Sequence, residues 1–247
     1  MTEEERKVKR YRELADRARG RGIYTYTEFH SPSGAALSFK AAAKDEIKLW
    51  GGMEYVQRVV IRFGDESEIG YDEPFPIEIL HIRPKAEKYA DKLEHRDYLG
   101  AIMNLGIERN QVGDIVVRDK EAYVFVLEGI SDYVIDNLSR IRHTDVLVER
   151  AEDFPDSLKV EISWEEISLN SIRLDALLAK AAHISRDKAK DLIVKENVLI
   201  DGIPKLKPEY EPKEDETIIV RGFGRYIYKG LQRENKKGKN VILIGKY

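Results

Sequence analysis

Residues 173–202 read RLDALLAKAAHISRDKAKDLIVKENVLIDG, and the fold of the chain turns on them. Leu174, Leu177, Leu178 and Ala181 recur at i, i+3, i+4 and i+7, the apolar stripe of a helix laid on a core. Arg173 and Lys180 share one flank of that stripe. After the short link AHI, Ser185 suits an N-cap, and a second helix buries Ala189, Leu192 and Ile193. Arg186 and Lys190 lie along one edge of it, Lys188 and Lys195 along the other. Asn197 tolerates a left-handed helix end, and VLIDG then opens a strand and a turn. Cations beside a compact seam can follow a phosphate backbone, and helix amides at Ser185 favour a phosphate. The same residues read equally as solvated charge, which the interleaved Asp175, Asp187 and Asp191 favour at some positions.

Downstream, RGFGRYIYKG (221–230) alternates aromatics with Arg221, Arg225 and Lys229. ENKKGKNVILIGKY then reads as a basic turn and a final strand. Lys236, Lys237 and Lys239 suit phosphate contact as point charges, or they solvate a hairpin tip.

The totals bound the remainder. A chain of 247 residues allows one large domain or two to three small ones, and 42% hydrophobic content supports real cores. Without cysteine there are no disulfides, thiolate metal sites or cysteine nucleophiles, and five scattered His lack metal-ligand spacing. No metal or other cofactor is expected. No apolar run approaches the roughly 20 residues that span a bilayer. The charged opening MTEEERKVKRYREL has no signal-like apolar stretch, so a cytoplasmic protein without membrane contact is expected. The net charge of −3 hides an asymmetry. From Ser171 onward 17 Lys/Arg face 11 Asp/Glu, whereas the first 170 residues carry 25 against 34. A basic end on an acidic body is the layout expected of a module that meets a polyanion.

Three small domains of an α+β protein are predicted, over 1–73, 74–165 and 170–247. The first opens with a charged helix over 1–22, Leu14 and Ala18 on one face, and EYVQRVVIRFG (54–64) reads as a strand. The acidic GDESEIGYDEPFP (64–76) makes the boundary. The second follows the order β-α-β-β-α-β, the split βαβ or ferredoxin-like arrangement. Its elements are PIEILHIRP, a helix from Glu87 to about Leu105, GDIVVRD, EAYVFVLEG, a helix over 130–141 capped by Ser131, and TDVLVER. Tyr123 and Phe125 point to one face of the third strand, to stack on bases or to pack a core.

HRDYLG (95–100) imitates a kinase catalytic loop, but the metal-holding position five residues after Asp97 is Ile102. No phosphate loop precedes it and no DFG follows. The stretch reads as a buried helix that Asp97 caps, with Arg96 and Arg109 beside a loop whose contacts the spacing does not assign.

The run R-L-D-x-x-L…S-R-x-x-A-x-x-L-I…V-x-I-D-G closely resembles the S-four RNA-binding domain. It is carried by Arg173, Leu174, Asp175, Leu178, Ser185, Arg186, Ala189, Leu192, Ile193, Val198 and Asp201-Gly202. With HRDYLGAIMNLGIERNQVGDI (95–115), GFGR and KKGK, the chain resembles the YlmH family from about Gly51 to Tyr247. The N-terminal third departs from the family pattern at TEFHSPSGAAL and EYVQR. The resemblance implies a non-enzymatic, ribosome-associated RNA-binding protein with an N-terminal α/β domain, a middle RNA-recognition-like domain and the C-terminal module. It implies as partners ribosomal RNA of the large subunit carrying an obstructed peptidyl-tRNA, with tRNA contact and division proteins left open. Residue by residue, it makes Arg173, Arg186 and Lys190 leading phosphate contacts. Lys180, Lys188 and Lys195 come second, beside Ser185, Arg225, Lys236 and Lys237. Glu at Arg173 and Arg186 is expected to abolish binding and leave the domain folded. The competing classes are an RNA-modifying, pseudouridine-synthase-like enzyme, with Asp97 or Asp114 as its aspartate, and a scaffold for division proteins.

Overall fold

The structure, a computed structural model, describes residues 2–43, 46–54, 56–155, 158, 161–201 and 203–247, without the side chains of 32, 33 and 203. Tyr55 and Gly202, quoted above within EYVQR and Asp201-Gly202, lie outside the described residues. The chain forms two compact units, Met1–Lys159 and Val160–Tyr247. We retain the three-part division as a proposal: its first part lies inside the first unit, whereas the second, 74–165, runs past Lys159 into the unit that β9 opens.

In that unit, helix α1 (Glu3–Arg21) starts at a capping box made by Thr2 and Glu5 and ends at left-handed Gly22. Tyr11, Leu14, Ala15 and Ala18 are its buried face. Then follow β1 (Thr25–Tyr26), α2 (Pro32–Ala35), β2 (Ile47–Trp50), β3 (Val60–Phe63) and α3 (Glu66–Ile69), with the sheet order β1-β3-β2. The strand predicted over 54–64 is shorter than expected. Gly51 and Arg58 approach so closely that a Cβ on Gly51 would lie 2.3 Å from the Arg58 carbonyl oxygen. Among the described residues of that span only Val59 and β3 pair, with His30, β1 and β2.

The next elements are β4 (Ile77–Pro84), α4 (His95–Met103), β5 (Val112–Arg118), β6 (Glu121–Leu127), α5 (Glu128–Asn137), β7 (Arg140–Ile141) and β8 (Thr144–Arg150). The antiparallel order β5-β6-β4-β8-β7 contains the split βαβ arrangement read from the sequence. Leu80, Ile82, Val124 and Val126 pack one sheet face onto Tyr98, Ile102 and Val134 of the two helices. The predicted helix from Glu87 is corrected: only a 3₁₀ turn spans Glu87–Tyr89, and α4 begins at His95. A capping box starts it there, with the Glu94 amide donating to Asp97 Oδ2 at 2.8 Å. Asp97 does cap, from the third helical position. Ser131 is not an N-cap; it is buried inside α5, its hydroxyl donating to the Glu128 carbonyl at 2.8 Å. The end of the predicted 130–141 helix pairs instead as β7 with β8.

The second unit comprises β9 (Ser163–Leu169), α6 (Leu174–Ala181), α7 (Arg186–Val194), β10 (Val198–Ile200), β11 (Ile203–Pro204), β12 (Thr217–Val220), β13 (Gly224–Glu234) and β14 (Asn240–Lys246). Its antiparallel sheet has the order β11-β10-β12-β13-β14-β9. The stripe Leu174, Leu177, Leu178 and Ala181 is buried with Ala189 and Ile193 against Ile218, Tyr226 and Ile242. The left-handed residue after α7 is Glu196 (φ 58°), one place before the expected Asn197. No described helix is long and apolar enough to cross a membrane.

Candidate nucleic-acid interface

The two arginines expected to lead phosphate contact meet on one carboxylate. Arg173, the N-cap residue of α6, donates from Nε to Asp175 Oδ1 and from Nη2 to Oδ2, each at 3.2 Å. Arg186, the first residue of α7, does the same from the other side at 3.1 and 3.2 Å. Asp175 is completely buried, whereas the arginines keep 30% and 50% of their side chains in solvent. Burial pushes the Asp175 carboxyl up, but bonds from Arg186 and Arg173 outweigh that and hold it below the usual aspartate value. Arg173 also pairs with Glu209 at 2.9 Å. Tyr210 and Pro208 carbonyls take the first α6 amides, those of Leu174 and Asp175. These arginines therefore clamp the helix pair, and glutamate at both would strand a buried carboxylate, so the domain would not stay folded as expected.

The interleaved aspartates engage two lysines as well. Lys190 faces Asp187 and Lys195 faces Asp191, each at 3.8 Å. Such exposed pairs are worth about 0–1 kcal/mol and exchange readily for a phosphate. Lys188 lies 5.2 Å from the centre of the Phe223 ring. The Ser185 hydroxyl oxygen accepts the Lys188 amide at 3.2 Å, so the cap satisfies one of the amides a phosphate would use. Arg225 lies over the Tyr247 ring at 5.9 Å.

Lys180, Lys236 and Lys237 are exposed and carry no ion-pair partner among the described residues. The latter two ride on a built turn. Asn235 Oδ1 accepts the Lys237 and Lys239 amides at 2.9 and 3.1 Å, and Gly238 takes φ 71°. The hairpin tip thus presents three lysines on a fixed backbone.

In the first unit, Tyr123 and Phe125 do not offer a stacking surface. Phe125 is buried beside Phe29, Val60 and Phe63 of the N-terminal elements. Tyr123 stacks on His81 with ring centres 4.5 Å apart and meets Phe154 edge-on. A Cβ on Gly52 would strike the Phe125 ring at 2.2 Å, which shows how closely the layers fit. Asp97 pairs with Arg142 at 2.8 Å, and Asp114 Oδ2 accepts the Gln57 amide at 2.6 Å, so both nominated catalytic aspartates hold the fold.

Together these features define a class: an α+β protein in two units, the second a helix pair on an antiparallel sheet with cations at its rim. Residues 71–153 match a family model described as "Putative RNA-binding domain in YlmH". The chain is 27% identical over 193 residues to the ribosome-associated protein quality control protein P2 of Bacillus subtilis (strain 168), which covers 76% of this chain and 73% of that protein. The solved structure of cell division protein ylmH from Streptococcus pneumoniae aligns with a TM-score of 0.50 at 22% identity, over 65% of this chain and 96% of that one. That likeness carries the fold alone. The chain is thus similar to YlmH in sequence, the resemblance that its motifs carried.

The matched segment is the middle sheet, where the sequence offered Tyr123 and Phe125 for stacking and left the contacts of Arg96 and Arg109 unassigned. Its 11 Lys/Arg stand against 18 Asp/Glu, so no basic patch marks it.

Proposed function

We propose that this protein is a non-enzymatic, cytoplasmic RNA-binding factor that binds rRNA of the large ribosomal subunit. It acts in ribosome-associated quality control on obstructed peptidyl-tRNA complexes, with tRNA a further contact. Three things support this reading: the YlmH family-model match, the name of the Bacillus relative and the layout of cations. The observation that carries it is that Lys180, on α6, and Lys236 and Lys237, on the fixed hairpin tip, have no ion-pair partner among the described residues. Lys188, Lys190, Lys195 and Arg225 add secondary contacts, and Arg173 and Arg186 contribute through the part of their surface left open. Ser185 sets the helix start that brings Arg186 to the rim.

Co-sedimentation with purified bacterial large subunits tests the proposal. The wild-type chain is expected to pellet with the subunits and to release them as salt rises. Lys180→Glu combined with Lys188→Glu is expected to weaken pelleting without unfolding the chain. Pelleting unchanged in that variant would overturn the placement, and sequencing of crosslinked RNA identifies the helix bound.

Scaffolding of division proteins is the second reading, one that the sequence resemblance left open. Recovery of protein partners that survives ribonuclease treatment would support it over the first.

A further inference from the structure

Where the N-terminal elements meet β5, two arginines share one acceptor. Arg58 Nε donates to the Val112 carbonyl at 3.0 Å, and its Nη2 donates to the Phe29 carbonyl at 2.8 Å and the Arg109 carbonyl at 3.4 Å. Arg109 Nη1 donates to that same Val112 oxygen and to the Gly113 carbonyl at 3.3 Å. Two guanidinium heads on one oxygen are neighbours of like charge. Burial lowers the pKa of both, and Arg109 lowers that of Arg58 further. The carboxylate that offsets them is Asp114, whose Oδ2 also holds the Gln57 amide. Backbone carbonyls orient the two cations without neutralising them, so the cluster keeps a net positive charge.

One arginine is enough to tie the Phe29 carbonyl to the Val112 carbonyl, and Arg58 does so. The second adds repulsion, which a purely architectural role leaves unexplained and a bound anion relieves. Arg58 Nη1 and Arg109 Nε and Nη2 have no hydrogen-bond partner among the described residues, and none of them is a sealed, unsatisfied atom. These are planar forks of donors, the arrangement that grips phosphate oxygens bidentately.

We propose that Arg58 and Arg109 together bind one RNA phosphodiester, giving the first unit its own RNA contact within a net acidic domain. The inference rests on the RNA-binding reading above and assigns that reading a second anchor. It also explains how the segment matched as an RNA-binding domain could act with 18 Asp/Glu and 11 Lys/Arg: the contact uses a local like-charge pair and not an extended basic patch.

The test is a salt titration of full-length protein against a labelled rRNA hairpin, read by fluorescence anisotropy. Arg109→Gln is expected to lower the slope of log affinity on log salt by roughly 0.7–0.9, the share of one phosphate. Arg58→Gln with Arg109→Gln should lower it by no more than the single change, because one phosphate is shared. Asp114→Asn should tighten binding severalfold, a gain that misfolding cannot produce. An unchanged slope in folded Arg109→Gln overturns the proposal, and if the arginine variants unfold, an absent gain in Asp114→Asn does so. If the wild type ignores RNA, the RNA-binding reading falls as well. If Lys236→Glu with Lys237→Glu weakens binding while the arginine and Asp114 variants do not alter it, this inference alone falls.

Discussion

The two large sheets of the molecule spend their chemistry in opposite ways. In the middle sheet, of the two residues a nucleobase would stack on, Phe125 is buried among N-terminal side chains and Tyr123 is stacked on His81 and edge-on to Phe154. In the C-terminal unit the sheet buries its apolar face under α6 and α7, and Lys180, Lys236 and Lys237 are among the lysines that reach solvent without an ion-pair partner among the described residues. The matched RNA-binding segment therefore hides its aromatic surface, while the unit outside that match displays charge. Residue type alone does not mark an interface; what decides is whether a group's partners inside the fold are already satisfied.

The largest expected effect separates clamp from contact in the C-terminal unit. Arg173→Gln with Arg186→Gln leaves Asp175 buried without its cations, and breaking such a pair costs roughly 3–5 kcal/mol. The lower end applies here, since both arginines reach solvent. Each unit carries one tryptophan, Trp50 in the first and Trp164 in the second. Urea unfolding followed through Trp164 in a Trp50→Phe background should show the loss, with Trp50 unaffected in the converse background. Wild-type stability in the double variant would show that Asp175 is not held by these arginines.

Acid should then distinguish the units. His30 is half-buried with a sealed, unpartnered Nε2, and burial holds its pKa below the ordinary value despite Glu28 nearby. The unfolded chain therefore binds a proton near pH 6.5 that the folded state resists. The first unit loses stability as pH falls below that value. Asp175 works in the other range. Its lowered pKa contributes stability that is complete above about pH 3.9 and disappears as pH falls through its folded value. Trp50 should report weakening near pH 6, removed by His30→Asn, while Trp164 reports none until stronger acid. Coincident transitions in wild type and variant would dismiss the histidine's part.

Much of this contrast was legible in the sequence. The 3.6-residue stripe of α6, the Ser185 cap and the β-α-β-β-α-β order all follow from local spacing, and the fold keeps them. The boundaries that failed depended on what lay across the chain. Ser131 has an N-cap's side chain, yet α5 begins three residues earlier, and Ser131 bonds back to the Glu128 carbonyl. Glu87 opens a helical pattern that ends after one turn, because the Glu94–Asp97 capping box starts α4 later. The clamp on Asp175 was hidden for a related reason. The sequence placed Asp187 and Asp191 among the lysines of α7, where they do pair. Contact between Arg186 and Asp175 instead requires the two helices to fold together. Arg58 and Arg109 lie 51 residues apart and share no periodicity, so only the tertiary structure joins them.

The smallest change in stability should accompany a large change in affinity at the hairpin tip. Lys236 and Lys237 are exposed, and their turn is fixed by the Asn235 carbonyl oxygen and by Gly238, not by the lysine heads. Replacing both with Glu should move unfolding by no more than about 0.5 kcal/mol, the usual range for surface substitutions. If each lysine neutralises one phosphate, the salt slope should fall by roughly 0.7–0.9 per lysine. Anisotropy against an rRNA hairpin at several salt concentrations measures that slope, and urea unfolding of the same sample verifies the fold. Asn235→Ala makes the complementary test: it keeps both charges and loosens the turn, so affinity should fall while the slope persists. Should the double glutamate variant bind like wild type at every salt concentration, the tip is solvated charge, and the proposed contacts of this unit reduce to Lys180, Arg225 and the half-engaged flanks of its helices.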